Sequence, residues 1–259
     1  MSDTFEFLDT GAHTGAQNMA FDVARAEAVD AGRALPSLRV YRWTPWCISL
    51  GRHQQESDLD TARCEEDGID IVRRPTGGRA ILHAEELTYC VVMPSRGRGI
   101  MDVYKDISEA LTAGLSSLAS GIEMARSQPQ FAKLYQEPGG IPCFSSSARY
   151  EIEVGGRKLV GSAQRRIGET VLQHGSILIG DAHLQLAGYL AVDETNRDAI
   201  LSDMRAHTTT LDEVLGRRIG WVELREALRE GFEKTWAIRF QVDDQNRYIA
   251  REWEHMSPP

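Results

Sequence analysis

The sequence predicts an α+β protein in which a mixed sheet is flanked by helices. Strand-like runs come in groups, and amphipathic helical stretches stand far apart between them, whereas a regular parallel array would alternate one strand with one helix. The length, 259 residues, suits one large domain with a substantial core. The expected catalytic unit is a single domain over residues 1–259 with its core at about residues 16–240.

Residues 18–31 read as a helix, because Met19, Val23, Ala26 and Val29 fall near one face. Residues 38–43 and 47–50 read as strands separated by Thr44-Pro45. Residues 70–72 and 87–93 read as strands on either side of a glycine loop. Asp102 is placed to cap a helix running towards Ala119, with Val103, Ile107, Leu111, Leu115 and Leu118 on its buried side. Further along, Tyr150, Ile152 and Val154 alternate with Arg149, Glu151 and Glu153. Gly155-Gly156 then supplies two residues tolerant of positive φ, as a type I′ hairpin turn requires. Residues 171–179 read as a strand. Residues 221–236 read as a closing amphipathic helix with Val222, Leu224, Leu228 and Phe232 on or near its buried side.

Composition excludes several classes. The net charge is −9, which disfavours nucleic acid and anionic membranes as main partners. No apolar run approaches membrane-spanning length, and Met1-Ser2-Asp3-Thr4 lacks a signal-peptide layout, so the expected location is cytoplasmic. Cys47, Cys64, Cys90 and Cys143 form no CxxC pair and read as free thiols. The seven histidines are scattered without metal-helix spacing, so no metal is expected.

Arg74-Pro75-Thr76-Gly77-Gly78-Arg79 places consecutive glycines between two strands, where backbone N–H groups can approach a ligand closely. It has neither the Walker A nor the Rossmann order. The longer run, Arg73-Arg74-Pro75-Thr76-Gly77-Gly78-Arg79-Ala80-Ile81-Leu82-His83 continuing to Glu86-Leu87-Thr88-Tyr89, resembles the signature of the lipoate-ligase and octanoyltransferase superfamily. Lys158-Leu159-Val160-Gly161-Ser162-Ala163-Gln164 and Gln173-His174-Gly175-Ser176-Ile177-Leu178 resemble its second and third motifs. Three motifs in order are far more specific than one. Within that superfamily the chain is most similar to the octanoyl-[acyl carrier protein]:protein octanoyltransferases of the LipM type.

The resemblance implies a mixed, largely antiparallel sheet like the catalytic domain of biotin and lipoate ligases. It implies transfer of octanoate from octanoyl-acyl carrier protein to a lysine of a lipoyl domain, such as the glycine-cleavage H protein, in lipoate biosynthesis. No cofactor is expected, because exchange of one thioester for another is nearly isoenergetic and needs no ATP. Cys143, in Pro142-Cys143-Phe144, becomes the expected nucleophile. Lys158 becomes the expected partner, since an ammonium near a thiol of pKa ~8.5 favours the thiolate. A lysine can also relay protons, and general-base catalysis contributes about 10²- to 10⁴-fold. The hairpin register sets Lys158 opposite Glu153, so a cross-strand ion pair between them is the structural alternative. Cys47, Cys64 and Cys90 read as core thiols.

The remaining motif residues, Arg74, Thr76, Gly77, Gly78, His83, Gly161, Ser162, Ala163 and His174, are expected to bind substrate. Backbone N–H groups near Gly77-Gly78 or Gly161-Ser162 are the expected oxyanion donors. Arg73, Arg74, Arg79, Arg157, Arg165 and Arg166 concentrate positive charge in the motif segments, which suits acidic protein partners. Three alternatives stay open: an ATP-dependent lipoate–protein ligase, an amidotransferase moving octanoate between lipoyl domains, and a non-catalytic binding protein. Ligases of the superfamily commonly carry an Arg-Asn-Asp-like segment where this chain has Cys143-Phe144-Ser145-Ser146-Ser147.

Overall fold

The computed structural model describes residues 4–125 and 150–242. In chain order it begins with β1 (Phe5–His13), α1 (Gly15–Asp30), β2 (Ser37–Trp43), β3 (Cys47–Leu50), α2 (Thr61–Glu66) and β4 (Asp70–Arg73). It continues with β5 (Ile81–His83), β6 (Glu86–Pro94), α3 (Ile100–Leu115), β7 (Ile122–Met124), β8 (Ile152–Val154), β9 (Arg157–Ile167) and β10 (Thr170–Leu178). A 3₁₀ segment (Ala182–Tyr189) then leads to α4 (Glu194–His207), α5 (Leu211–Leu215), α6 (Trp221–Trp236) and β11 (Phe240–Val242).

Among the described residues the strands form two sheets. The larger has eight strands in the order β11-β1-β2-β6-β10-β9-β8-β7. β1 runs parallel to both β2 and β11, and the other pairings are antiparallel. The expected mixed, largely antiparallel sheet is therefore observed. The smaller sheet, β4-β3-β5, joins β3 to β4 in parallel and to β5 in antiparallel fashion.

Strand parity gives the large sheet two different faces. Leu38, Val40, Leu87, Tyr89, Val91, Val160 and Ile177 lie on one face and pack with Val103, Ile107 and Leu111 of α3 and Leu224, Leu228 and Phe232 of α6. Tyr41, Thr88, Ser176 and Gly161 are successive cross-strand partners on the other face. Directly paired residues share a face. This second face is covered by α1 and by the small sheet.

Thr14 starts α1 with a capping box to Gln17, so the helix begins three residues before the expected position 18. α3 is capped by Gly99, not by Asp102, which lies in the first turn where its carboxylate meets the positive end of the helix dipole. That helix ends at Leu115, short of Ala119. α6 has the expected bounds and buries Leu224, Leu228 and Phe232, but Val222 is 59 % exposed. At 3.6 residues per turn, two positions from Leu224 is a rotation of about 200°, which carries Val222 to the solvent side.

Candidate active site

A cavity lies between the second face of the large sheet, α1 and the small sheet. Its walls are Met19 of α1, Tyr41 and Trp43 of β2, Ser49 of β3, Arg74, Ile81 and His83 of β5, Thr88 of β6, Gly161, Ser162 and Ala163 of β9, and His174, Gly175 and Ser176 of β10. It is a narrow cleft, partly open to the surface.

Two buried polar networks build its walls. In the first, Asp22 of α1 accepts from Arg39 Nη1 at 2.7 Å, from the Tyr41 hydroxyl at 3.0 Å and from His174 Nδ1 at 3.2 Å. Asn18, one helical turn earlier, accepts from Arg39 Nη2 at 2.6 Å. Burial alone would raise the Asp22 carboxyl; the Arg39 guanidinium and His174 outweigh it and hold the carboxyl below its ordinary value. Burial lowers the pKa of His174, favouring a neutral ring. Because a carboxylate only accepts, Nδ1 of that ring carries the proton. Nε2 is then the acceptor for the Thr76 hydroxyl, 2.7 Å away. A chain of hydrogen bonds thus runs from the sheet's buried arginine to the glycine loop.

The second network centres on Glu86. Its Oε1 accepts from Thr88 Oγ1 at 2.5 Å, His83 Nδ1 at 2.7 Å and Ser176 Oγ at 2.9 Å. The Trp43 indole N–H donates to Thr88 Oγ1 at 2.7 Å, and His83 Nε2 lies 2.8 Å from Ser49 Oγ. The rings of Trp43 and His83 stack at 4.0 Å with 11° between their planes. An aromatic surface therefore stands beside a hydrogen-bonded one.

The loop is clamped from within. Arg74, 3 % exposed, donates to the carbonyls of Ser49, Gly77 and Arg79 at 2.9, 2.9 and 2.7 Å. Arg165 Nη1 reaches the Pro75 carbonyl at 3.3 Å. Gly51 packs so tightly that a Cβ there would stand 1.9 Å from the Gly78 carbonyl oxygen. Of the expected substrate-binding residues, the fold brings Arg74, His83, Gly161, Ser162, Ala163 and His174 to the cavity wall. Thr76 stands behind His174, and Gly77 and Gly78 belong to the clamped loop rather than to the wall.

Lys158 sits on β9, three residues before Gly161. Gly155 and Gly156 have φ of +56° and +76°, both left-handed as the turn requires, and Glu153 is the register partner of Lys158. The ion pair, however, is not with Glu153. Lys158 Nζ lies 2.7 Å from Oε1 of Glu151, with both side chains at most 7 % exposed. Between Ile152 and Glu153 the register shifts by one residue, with Leu159 of β9 as the extra one, and Glu151, two residues from Glu153, is the diagonal neighbour of Lys158. Just before Glu151, Tyr150 adopts φ +72°. A bulky residue in that region costs about 1–3 kcal/mol. Glu153 is left half-buried, its carboxyl pushed up by burial and by Glu123 and Glu151.

Cys143, the expected nucleophile, lies outside the described residues. Cys47, Cys64 and Cys90 are at most 1 % exposed, and burial raises the pKa of each thiol. Such thiols are inert.

Sequence reasoning missed Met19, Tyr41, Trp43, Ser49, Ile81, Thr88, Gly175 and Ser176. Strand parity held the signal: Ser176 follows His174 by two, as Tyr41 precedes Trp43 by two, so each pair shares a face. Asn18 and Asp22, one turn apart on the buried side of a helix, were a second signal.

A model of the lipoyl protein ligase A/B catalytic domain matches residues 14–233. Octanoyltransferase LipM of Symbiobacterium thermophilum is 40 % identical over 246 residues, covering 92 % of this chain and 88 % of that one. Octanoyltransferase LipM of Moorella thermoacetica is 39 % identical over 245 residues, covering 92 % and 89 %. Among solved structures, a lipoate protein ligase from T. acidophilum with bound lipoic acid superposes with a TM-score of 0.71 at 23 % identity, covering 97 % of this chain and 94 % of that one. At that identity the likeness concerns the fold alone.

Proposed function

The chain belongs to the lipoyl protein ligase A/B catalytic family and, within it, to the LipM octanoyltransferases, and we propose that it works through a thioester on Cys143. The donor is octanoyl-acyl carrier protein, and the acceptor is a lysine of a lipoyl domain such as the glycine-cleavage H protein. The enzyme acts in the cytoplasm as one catalytic domain, without ATP or another cofactor.

The observation that carries this reading is that the three motifs converge. Arg74, Ile81, His83 and Thr88 of the first motif meet β9 and β10 around one narrow cavity with aromatic and aliphatic walls at Met19, Tyr41, Trp43 and Ile81. An unbranched eight-carbon chain suits such a slot, and Lys158 stands on the strand that forms one wall.

In the first step the Cys143 thiolate attacks the thioester carbonyl carbon. The new C–S bond forms as the bond to the carrier sulfur breaks, and the carrier thiolate leaves and takes up a proton. The Lys158 ammonium favours the attacking thiolate by charge. In the second step the neutral amine of the acceptor lysine attacks the same carbon. An amide forms, the Cys143 thiolate departs, and the amine's surplus proton passes to a base, a role open to Lys158 once it has lost its own proton.

The test weighs the intact protein after mixing with octanoyl-acyl carrier protein and no ATP. A gain of one octanoyl group, absent in Cys143→Ala, is the expected result. Modification of a lipoyl domain only with ATP and free lipoate would replace this reading with a ligase. Loading only from an octanoylated lipoyl domain would replace it with an amidotransferase.

A further inference from the structure

We infer that Glu151 is the positioning residue of Lys158, a carboxylate turned into the protein to fix where the lysine's ammonium stands. The inference rests on the reading of Lys158 as a catalytic residue and adds the group through which that lysine is held.

Three independent features meet at this pair. The first is the contact itself: Nζ and Oε1 are 2.7 Å apart, and the side chains are 7 % and 5 % exposed. A buried ion pair is a poor way to stabilise a fold, since apolar residues of similar size commonly do as well or better. Its presence here therefore points to a task for the charge. Arg157, the neighbour of Lys158, makes the contrasting exposed pair with Glu213.

The second feature is the backbone that produces the contact. Leu159 is an extra residue on β9, so Lys158 comes onto the face shared by Glu153 and by Glu151 two residues before it, and the left-handed Tyr150 leads directly into that carboxylate. Local strain that serves one side chain is the signature of a site.

The third is that both partners are anchored from outside the hairpin. The Tyr150 N–H donates to the Ala125 carbonyl at 3.1 Å, and the Ala125 N–H donates to the Glu151 carbonyl at 2.7 Å. On the other strand, the Thr209 N–H donates to the Lys158 carbonyl at 3.0 Å. Lysine has a long, flexible stem. Here its first atoms are tied through β9 and Thr209, and its last atom is tied through Glu151. An ammonium held at both ends occupies one place, which is what a group acting on a reacting atom requires.

The experiment is a double-mutant cycle with octanoyl-acyl carrier protein and a lipoyl domain as probes. Octanoyl transfer is measured in the wild type, Glu151→Gln, Lys158→Met and the double variant. Glu151→Gln is expected to lower kcat at least tenfold with little change in KM, whereas in the Lys158→Met background the same change alters the residual rate less than twofold. Glu151→Asp, which restores the charge, is expected to recover part of kcat. An equal loss in both backgrounds, or no loss, overturns the inference. If Glu151→Gln does not fold, by its thermal transition, Glu151→Asp carries the cycle: its loss of kcat in the wild-type background is expected to be smaller but to exceed that in the Lys158→Met background, and equal losses overturn the inference. A wild type that takes no octanoyl group from the carrier protein overturns the functional reading itself, and this inference with it; a wild type that loads while the cycle is additive overturns only the inference.

Discussion

The two faces of the eight-stranded sheet are built from opposite materials. Against α3 and α6 the sheet presents leucine, valine, isoleucine and phenylalanine. Against α1 and the small sheet it presents Arg39, His174, Glu86 and Thr88, met by Asp22 of α1 and His83 of β5, all deeply buried. Apolar packing tolerates exchange at constant volume, while a buried polar network requires each partner in place. One face holds the protein together; the other has a specific arrangement to preserve. The site lies on the second.

Damage to each face in turn should separate their roles. Phe232→Ala should cost about 3–5 kcal/mol of stability through the cavity it leaves. Asp22→Ala should cost a similar amount, about 3–5 kcal/mol, because the Arg39 guanidinium stays buried without its carboxylate. Urea denaturation measures both. The difference should appear in the folded fraction: Phe232→Ala retains the wild-type kcat and Asp22→Ala does not. Equal retention would show that the polar face is only another core.

Gly51→Ala tests the loop without touching the network. Its methyl group would collide with the Gly78 carbonyl and displace the loop. A displacement near 1 Å can cost about 10²-fold in rate. Octanoyl transfer should fall by that order, while the urea midpoint moves much less than in Asp22→Ala.

Acid should act on the polar face first. Burial holds His174 below its ordinary value of 6.5, so the unfolded chain takes up a proton there before the folded one does. Its contribution to stability is complete above about pH 6.5 and is lost as pH falls through its folded value. Asp22, lowered from 3.8, holds its contribution until below that pH. The thermal midpoint should therefore drop between about pH 7 and pH 5, and His174→Gln should lessen the drop. The smallest effect belongs to Val222→Asp, on the solvent side of α6, which should change stability by no more than about 0.5 kcal/mol.

Sequence alone made legible whatever a local period encodes. The bounds of α6, the Gly155-Gly156 turn and the opposition of Glu153 and Lys158 follow from helical spacing and hairpin geometry. It missed β1 and β11, which complete one edge by pairing residues far apart in the chain, and α4, whose buried residues are few. It could not place Glu151, because the extra residue on β9 and the φ of Tyr150 are encoded in no local period. At the site, motif order picked out six cavity residues. Apart from Met19 of α1, the others come from strands whose second face is seen only once β3 and β5 are laid against β2, β6 and β10.

The parallel pairing of Phe5 with Phe240 has a consequence for a chain being made. β1 finds its inner neighbour, β2, within some thirty residues, but its outer neighbour is encoded 235 positions after Phe5. At roughly 5–20 residues per second, the ribosome takes about 10 to 50 seconds to supply it. Throughout that interval the nascent polypeptide carries a bare strand edge, and its risk of pairing with the wrong chain ends only when β11 emerges to cover it.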